Sequence, residues 1–140
     1  MSGQQAARTP GAKRAAPGEY VFDLAQVNHI LGGPEYSTAN GACVEGDRMI
    51  VGLMRMPAGT GAEAHSHPNE QWIYVLQGTL EAEVDGVKSR VPAGSLIYVP
   101  DDVVHSALAT SEGDVPFLTP QGMSLGSAGA PLCLAFTAAL

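Results

Sequence analysis

Two histidines separated by one residue, His65 and His67, carry the clearest chemical signal in the sequence. They lie in a stretch that runs from Gly59 to Gly78. Side chains on a β-strand alternate between its faces, so two residues at this spacing are expected to point the same way. Two imidazoles on one face supply half of a metal site, and the other half must come from elsewhere in the chain. The remaining histidines are His29 and His105.

Many short strands joined by tight turns are expected to position these histidines. The chain contains 17 glycines and 10 prolines, and apolar runs alternate with turn residues throughout. Strands are predicted at 19–23, 37–44, 49–56, 71–77, 79–84, 87–91, 95–99, 106–109, 115–119 and 132–138, with a helical turn near 24–30. This pattern favours an all-β sandwich or barrel.

The chain of 140 residues is long enough for one domain. Residues 1–18 are predicted to be a mobile leader, and 19–140 a single domain. The leader has no apolar segment typical of a secretory signal, so a cytoplasmic location is expected. Cys43 and Cys133 are expected to be buried thiols rather than a disulfide.

The charge distribution argues against two classes of partner. The net charge is −7, and from residue 15 onward 4 basic and 14 acidic residues give −10. Such a surface is expected to repel nucleic acid and anionic membranes. No apolar run approaches the roughly 20 residues that span a bilayer.

The spacing of two motifs resembles that of the cupin family. The first motif matches as Gly59, five residues, His65, Ser66, His67, three residues, Gln71, six residues and Gly78. The second matches as Gly94, five residues, Pro100 and, after four more residues, His105. Fifteen residues separate the two motifs.

This resemblance implies a small antiparallel β-barrel of the double-stranded β-helix, or jelly-roll, type. It also implies one divalent metal, with Fe(II) favoured over Mn, Ni, Co or Zn, on His65, His67, Gln71 and His105. Gln71 stands where the family usually has Glu. The adjacent Glu70 is an alternative ligand, although strand parity turns it away from the interior.

The ligand set bears on the chemistry. Three imidazoles and an amide are neutral, so the metal would keep its full charge and favour anionic, chelating substrates. The leading interpretation is a mononuclear dioxygenase that cleaves a small enolisable dicarbonyl-like substrate. A redox-neutral lyase or isomerase acting on a sugar or uronate, and a non-catalytic metal- or ligand-binding protein, remain open. A dimethylsulfoniopropionate lyase is set aside, because such cupins carry a tyrosine where this chain has Ile73.

Parity also assigns the pocket lining and the outer face. Ile73, Val75, Leu96 and Tyr98 are predicted to point inward. Tyr98 is a candidate catalytic hydrogen-bonding group or a core aromatic. Arg55 is a candidate for binding a substrate carboxylate, or else a residue at the rim of the pocket. Trp72 and Tyr74 are expected on the outer face, in a homodimer interface.

Overall fold

The computed structural model describes residues 7–123 and 137–138, and these form two facing β-sheets. The strands are β1 (Lys13–Arg14), β2 (Ile30–Leu31), β3 (Asn40–Glu45), β4 (Met49–Met56), β5 (Gly61–His65), β6 (Gln71–Val75), β7 (Thr79–Val84), β8 (Val87–Pro92), β9 (Leu96–Val99), β10 (His105–Ala109), β11 (Val115–Gly122) and β12 (Thr137–Ala138). One helical turn, α1 (Leu24–Val27), precedes β2. The prediction of an all-β jelly roll is confirmed.

The larger sheet has the strand order β12-β2-β3-β4-β11-β6-β9, with β1 added in parallel to β3. The smaller sheet has the order β5-β10-β7-β8, and its pairs are antiparallel. The two sheets pack as a sandwich and are not joined into a closed barrel by strand pairing among the described residues. In the described residues, no helix is long and apolar enough to cross a membrane.

The core lies between the sheets and follows the alternation of each strand. In β4, Ile50, Gly52, Met54 and Met56 are buried, while Leu53 and Arg55 are exposed. The same period of two places alternate residues of β6 and β11 inside. The inner faces of these three neighbouring strands form the wall on which the candidate site is built.

Part of the predicted leader belongs to the folded domain. The fully buried carboxylate of Glu45 accepts hydrogen bonds from the backbone amides of Arg8 and Thr9, at 2.8 and 2.9 Å. Its Oε2 also lies 3.4 Å from the guanidinium of Arg14 in β1. A buried carboxylate needs such donors, and the N-terminal segment supplies them. The structure therefore differs from the predicted mobile leader over this segment.

The predicted strand at 19–23 is wrong. This segment makes no strand pairing, and Tyr20 and Val21 are 85% and 90% exposed. Asp23 instead begins α1, because its side chain accepts a hydrogen bond from the amide of Ala25 at 3.1 Å. The predicted strand at 132–138 and the thiol of Cys133 lie outside the described residues, apart from the two residues of β12.

Candidate metal centre

Strand pairing brings His65 and His105 together. They are direct cross-strand partners of β5 and β10, so their side chains leave the smaller sheet on the same face. Their ring centroids are 4.2 Å apart. The predicted convergence of the two motifs is thus produced by the register of one antiparallel pair.

His67 reaches the same place from a loop. β5 ends at His65, so the prediction that His65 and His67 share one face of a strand is wrong. The loop after β5 nevertheless carries His67 inward, with its ring 4.8 Å from that of His105 and 5.8 Å from that of His65. The candidate ligand nitrogens of the three histidines all lie within 4.8 Å of one another.

Each histidine is oriented by a backbone carbonyl at Nδ1. His65 donates to Glu63 O at 2.6 Å, His67 to Asn69 O at 2.8 Å, and His105 to Val103 O at 2.8 Å. In a neutral imidazole whose Nδ1 donates, Nε2 keeps its lone pair. This arrangement is typical of histidines that bind metals through Nε2.

Gln71, the fourth residue of the predicted ligand set, places its amide oxygen beside this cluster. Its Nε2 donates to the hydroxyl of Thr119 at 2.8 Å, and that hydroxyl donates to Trp72 O at 2.7 Å. These bonds leave the amide oxygen of Gln71 facing Nε2 of His67 at 3.1 Å.

The donor set fits a metal ion on two observations. Nε2 of His105 is buried and makes no hydrogen bond to any described residue. With Nδ1 of His67 donating to Asn69 O, its Nε2 lone pair and the amide oxygen of Gln71 are two acceptors 3.1 Å apart, an arrangement that a bound cation would satisfy. A divalent metal held by His65, His67, His105 and Gln71 would satisfy all of these atoms.

Burial keeps the imidazoles ready to bind metal. Burial, together with the smaller effect of the neighbouring His65 and His67, lowers the pKa of His105 from 6.5 to about 4. Burial also lowers the pKa of His65. Both rings are therefore neutral at neutral pH, and a metal would displace no proton from Nε2.

A cavity of about 60 Å³ opens next to the cluster. This is room for a few water molecules, or for a small ligand beside the metal. Polar lining groups come from His65, Gln71, His105, Ser106 and Thr119. The rest of the described lining is apolar or glycine: Gly32, Ala39, Met54, Met56, Ala62, Ile73, Ala82, Val84, Ile97, Val99, Ala107 and Phe117.

The prediction for β9 has the wrong face. Leu96 and Tyr98 are 55% and 43% exposed, and Ile97 and Val99 line the cavity instead. A shift of one residue in the pleat reverses every side chain of a strand, and the sequence SLIYV has no polar residue that fixes this choice. In β6 the assignment is right: Ile73 lines the cavity and Val75 is buried in the core.

Tyr98 and Arg55, the two candidate catalytic residues, are not brought to the metal ligands. Tyr98 donates to the carboxylate of Glu70 at 2.9 Å on the outer face, and this hydrogen bond raises the pKa of Tyr98. Arg55 pairs with Asp114 at 3.3 Å, also in an exposed position. Glu70 is exposed, as parity predicts.

Two residues of the site escape the sequence reasoning. Tyr36 stacks on the imidazole of His65, with centroids 3.9 Å apart, and no motif marks it. Thr119 holds the amide of Gln71. The alternation along β11, where Val115 and Phe117 are also buried, was the available signal for Thr119. The remaining histidine, His29, is exposed, as expected.

Comparison with known proteins agrees with this architecture. Residues 52–119 match the model of the cupin domain family. A cupin protein from Bacteroides fragilis has 30% sequence identity and a TM-score of 0.50, over 58% of this chain and 70% of that one. An RmlC-like cupin from Shewanella frigidimarina has 22% identity and a TM-score of 0.62, over 75% and 91%. The chain belongs to the cupin family.

A curated relative is the dimethylsulfoniopropionate lyase DddW of Ruegeria pomeroyi. It is 29% identical over 65 residues, which are 46% of this chain and 43% of the relative. The chain thus aligns with less than half of that relative's length. A protein of the class that Ile73 argued against is therefore among its relatives.

Proposed function

We propose that this cupin is a mononuclear metal-dependent dioxygenase that cleaves a small, enolisable dicarbonyl-like substrate. His65, His67, His105 and Gln71 hold one divalent metal, with Fe(II) favoured. When bound, the metal supplies a Lewis acid for the substrate oxygens and the redox chemistry that molecular oxygen needs.

The observation that carries this proposal is the composition of the cavity wall. Among its described lining residues, the ionisable groups are His65 and His105, and both are assigned to the metal. Among the described residues that line the cavity, no carboxylate, lysine or tyrosine is available to take a proton; Tyr36 stacks on His65 but is not part of this lining. A redox-neutral elimination or isomerisation draws on such a base, whereas a substrate that arrives already deprotonated, as an enolate, needs none.

The neutral ligands favour an anion as substrate. Gln71 contributes an amide oxygen where a glutamate would contribute a negative charge, so the centre keeps a charge near +2. The apolar wall lowers the local dielectric and strengthens attraction to an anionic oxygen pair. Ile73, Val99 and Phe117 belong to this apolar wall, which would limit the access of bulk water to a bound substrate.

Oxygen uptake tests this proposal. Metal-free protein is loaded with Fe(II) under nitrogen, mixed with pentane-2,4-dione, and then exposed to oxygen. We expect one oxygen molecule consumed per diketone cleaved, with both oxygen atoms recovered in the two fragments. His105→Ala should lose this activity, and His29→Ala, which changes an exposed histidine, should keep it. No oxygen uptake across a panel of small diketones and 2-oxo acids would overturn the proposal.

A redox-neutral lyase is the second candidate, and the named activity of the Ruegeria relative favours it. The same protein, loaded with Zn(II), Ni(II) or Fe(II), is offered dimethylsulfoniopropionate or an unsaturated uronate under nitrogen. Substrate loss without oxygen would support this function against the dioxygenase. Tight metal binding with no turnover in either assay would favour a non-catalytic binding protein.

We also propose that the chain forms a homodimer through the outer face of its larger sheet. Cross-strand pairs place Trp72 beside Tyr98 and Tyr74 beside Leu96, and all four side chains are exposed. Leu53 continues this apolar row on β4. Contiguous apolar surface of this kind is typical of protein interfaces, and a second copy is the simplest occupant.

A further inference from the structure

The segment between β2 and β3 covers the exposed side of the metal centre. His65 is half-buried, whereas His67 and His105 are fully buried. The ring of Tyr36 lies over the imidazole of His65, with an interplanar angle of 29°. Gly32 and Ala39, at either end of this segment, line the cavity.

Hydrogen bonds fix the backbone of Tyr36 in this place. Its amide donates to Gly33 O at 3.0 Å, and its carbonyl accepts from the amide of Glu63 at 2.7 Å. The carbonyl of the same Glu63 accepts from Nδ1 of His65 at 2.6 Å. Glu63 therefore ties the main chain of Tyr36 to the ring that Tyr36 covers.

Gly33 makes room for the tyrosine ring. Its φ is +72°, a conformation that favours glycine, and a Cβ there would lie 2.5 Å from Cζ of Tyr36. A larger residue would push the ring away from its position. The tyrosine thus contacts Gly33 and His65 at the same time.

We propose that Gly33 and Tyr36 are positioning residues for His65. Stacking restricts the rotation of the imidazole about its bond to Cβ and keeps Nε2 aimed at the other ligands. Without Tyr36, the hydrogen bond to Glu63 would still hold Nδ1 of His65, but one face of this half-exposed imidazole would be open to water. This inference rests on the proposed function for the role of His65 as a ligand, but the stacking contact does not depend on bound metal.

Spectra of the metal-free protein test the contact itself. A ring stacked at this distance shifts the carbon-bound protons of His65 upfield in a proton–carbon correlation spectrum. We expect this shift to persist in Tyr36→Phe and to disappear in Tyr36→Ala. His65 resonances that are the same in wild type and Tyr36→Ala would overturn the proposal, whatever the protein binds.

Zinc affinity tests the positioning. In competition with a chromophoric chelator, Tyr36→Ala and Gly33→Ala should bind Zn(II) about tenfold more weakly, and Tyr36→Phe should stay close to wild type. Gly59→Ala is the matched control, because its φ is +74° and an added Cβ meets no atom within 4 Å. Tyr74→Ala, which removes an exposed tyrosine on the outer face, is the control for loss of a tyrosine ring.

The outcomes separate this inference from the proposed function. Unchanged zinc affinity in a folded Tyr36→Ala protein would overturn the positioning role, as would an equal loss in Gly59→Ala. A wild-type protein that binds no zinc would overturn the metal-dependent function, and the spectra alone would then decide whether Tyr36 holds His65.

Discussion

Thr119→Val is expected to weaken metal binding although Thr119 is not a ligand. Its hydroxyl accepts from Nε2 of Gln71 and donates to Trp72 O, at 2.8 and 2.7 Å. Valine has nearly the same shape but offers neither bond. The amide of Gln71 then loses the contact that keeps its oxygen turned toward His67.

The magnitude follows from burial. Thr119 and Gln71 are 1% and 7% exposed, so the amide nitrogen is left without an acceptor in a buried place. An unsatisfied buried donor costs about 1–3 kcal/mol in the free energy of unfolding. For a domain of this size, this lowers Tm by roughly 2–10 °C. Loss of an oriented ligand lowers metal affinity about 10–100-fold.

The assay has two parts and one matched control. Thermal unfolding of the metal-free protein measures the change in stability, and a chelator competition with Zn(II) measures the change in affinity. Thr119→Ser keeps the hydroxyl and loses one methyl group. We expect the serine variant to bind zinc close to the wild-type level and the valine variant to bind it much more weakly.

Two results would refute this reasoning. A folded Thr119→Val protein with wild-type zinc affinity would mean that the hydroxyl does not orient Gln71 as a ligand. Equal losses in the serine and valine variants would trace the effect to packing of the methyl group instead.

Three further predictions concern stability and assembly. Because the pKa of His105 falls from 6.5 to about 4 in the folded state, the unfolded chain takes up its proton first. The unfolding free energy of the metal-free protein, measured by urea titration, should therefore fall as pH drops from about 6.5 to about 4. An equally steep fall in the His105→Ala protein would contradict the role of His105 in this pH dependence. Glu45→Ala should lower the unfolding free energy by about 3–5 kcal/mol and speed tryptic cleavage at Arg14, because buried donors lose their acceptor. Glu81→Ala, at an exposed carboxylate on β7, is the control, and a Glu45→Ala protein as resistant to trypsin as wild type would contradict this prediction. Trp72→Arg should convert the proposed homodimer to a monomer, as measured by light scattering, whereas Val87→Arg on the smaller sheet should not. A monomeric wild type would contradict the proposed interface.

The sequence was most informative where polar and apolar residues alternate. The predicted strands at 49–56 and 79–84 are confirmed with the same bounds, and in the second the glutamates of TLEAEV mark the outer face. In β9 both faces carry apolar residues, so Tyr98 and Val99 could not be told apart by pattern. The register of β9 against β6 determines which of its side chains face inward.

Contacts between residues far apart in the sequence leave no local pattern by which they could be predicted. The carboxylate of Glu45 is satisfied by backbone amides 36 and 37 residues away, and no local pattern marks those partners. Tyr36 reaches His65 only because its segment is hydrogen-bonded to β5. The spacing of the candidate ligands within each motif can be recognised in the sequence, whereas the groups that orient these ligands come from distant parts of the chain.

Metal stoichiometry tests the central claim most directly. Metal-free protein is titrated with Co(II) under nitrogen, and the visible absorption bands and bound metal are measured together for wild type, His105→Ala and His29→Ala. We expect one metal ion per chain with imidazole ligands in wild type and His29→Ala, and a large loss of affinity in His105→Ala. Equal binding by all three proteins, or no binding by wild type, would contradict it.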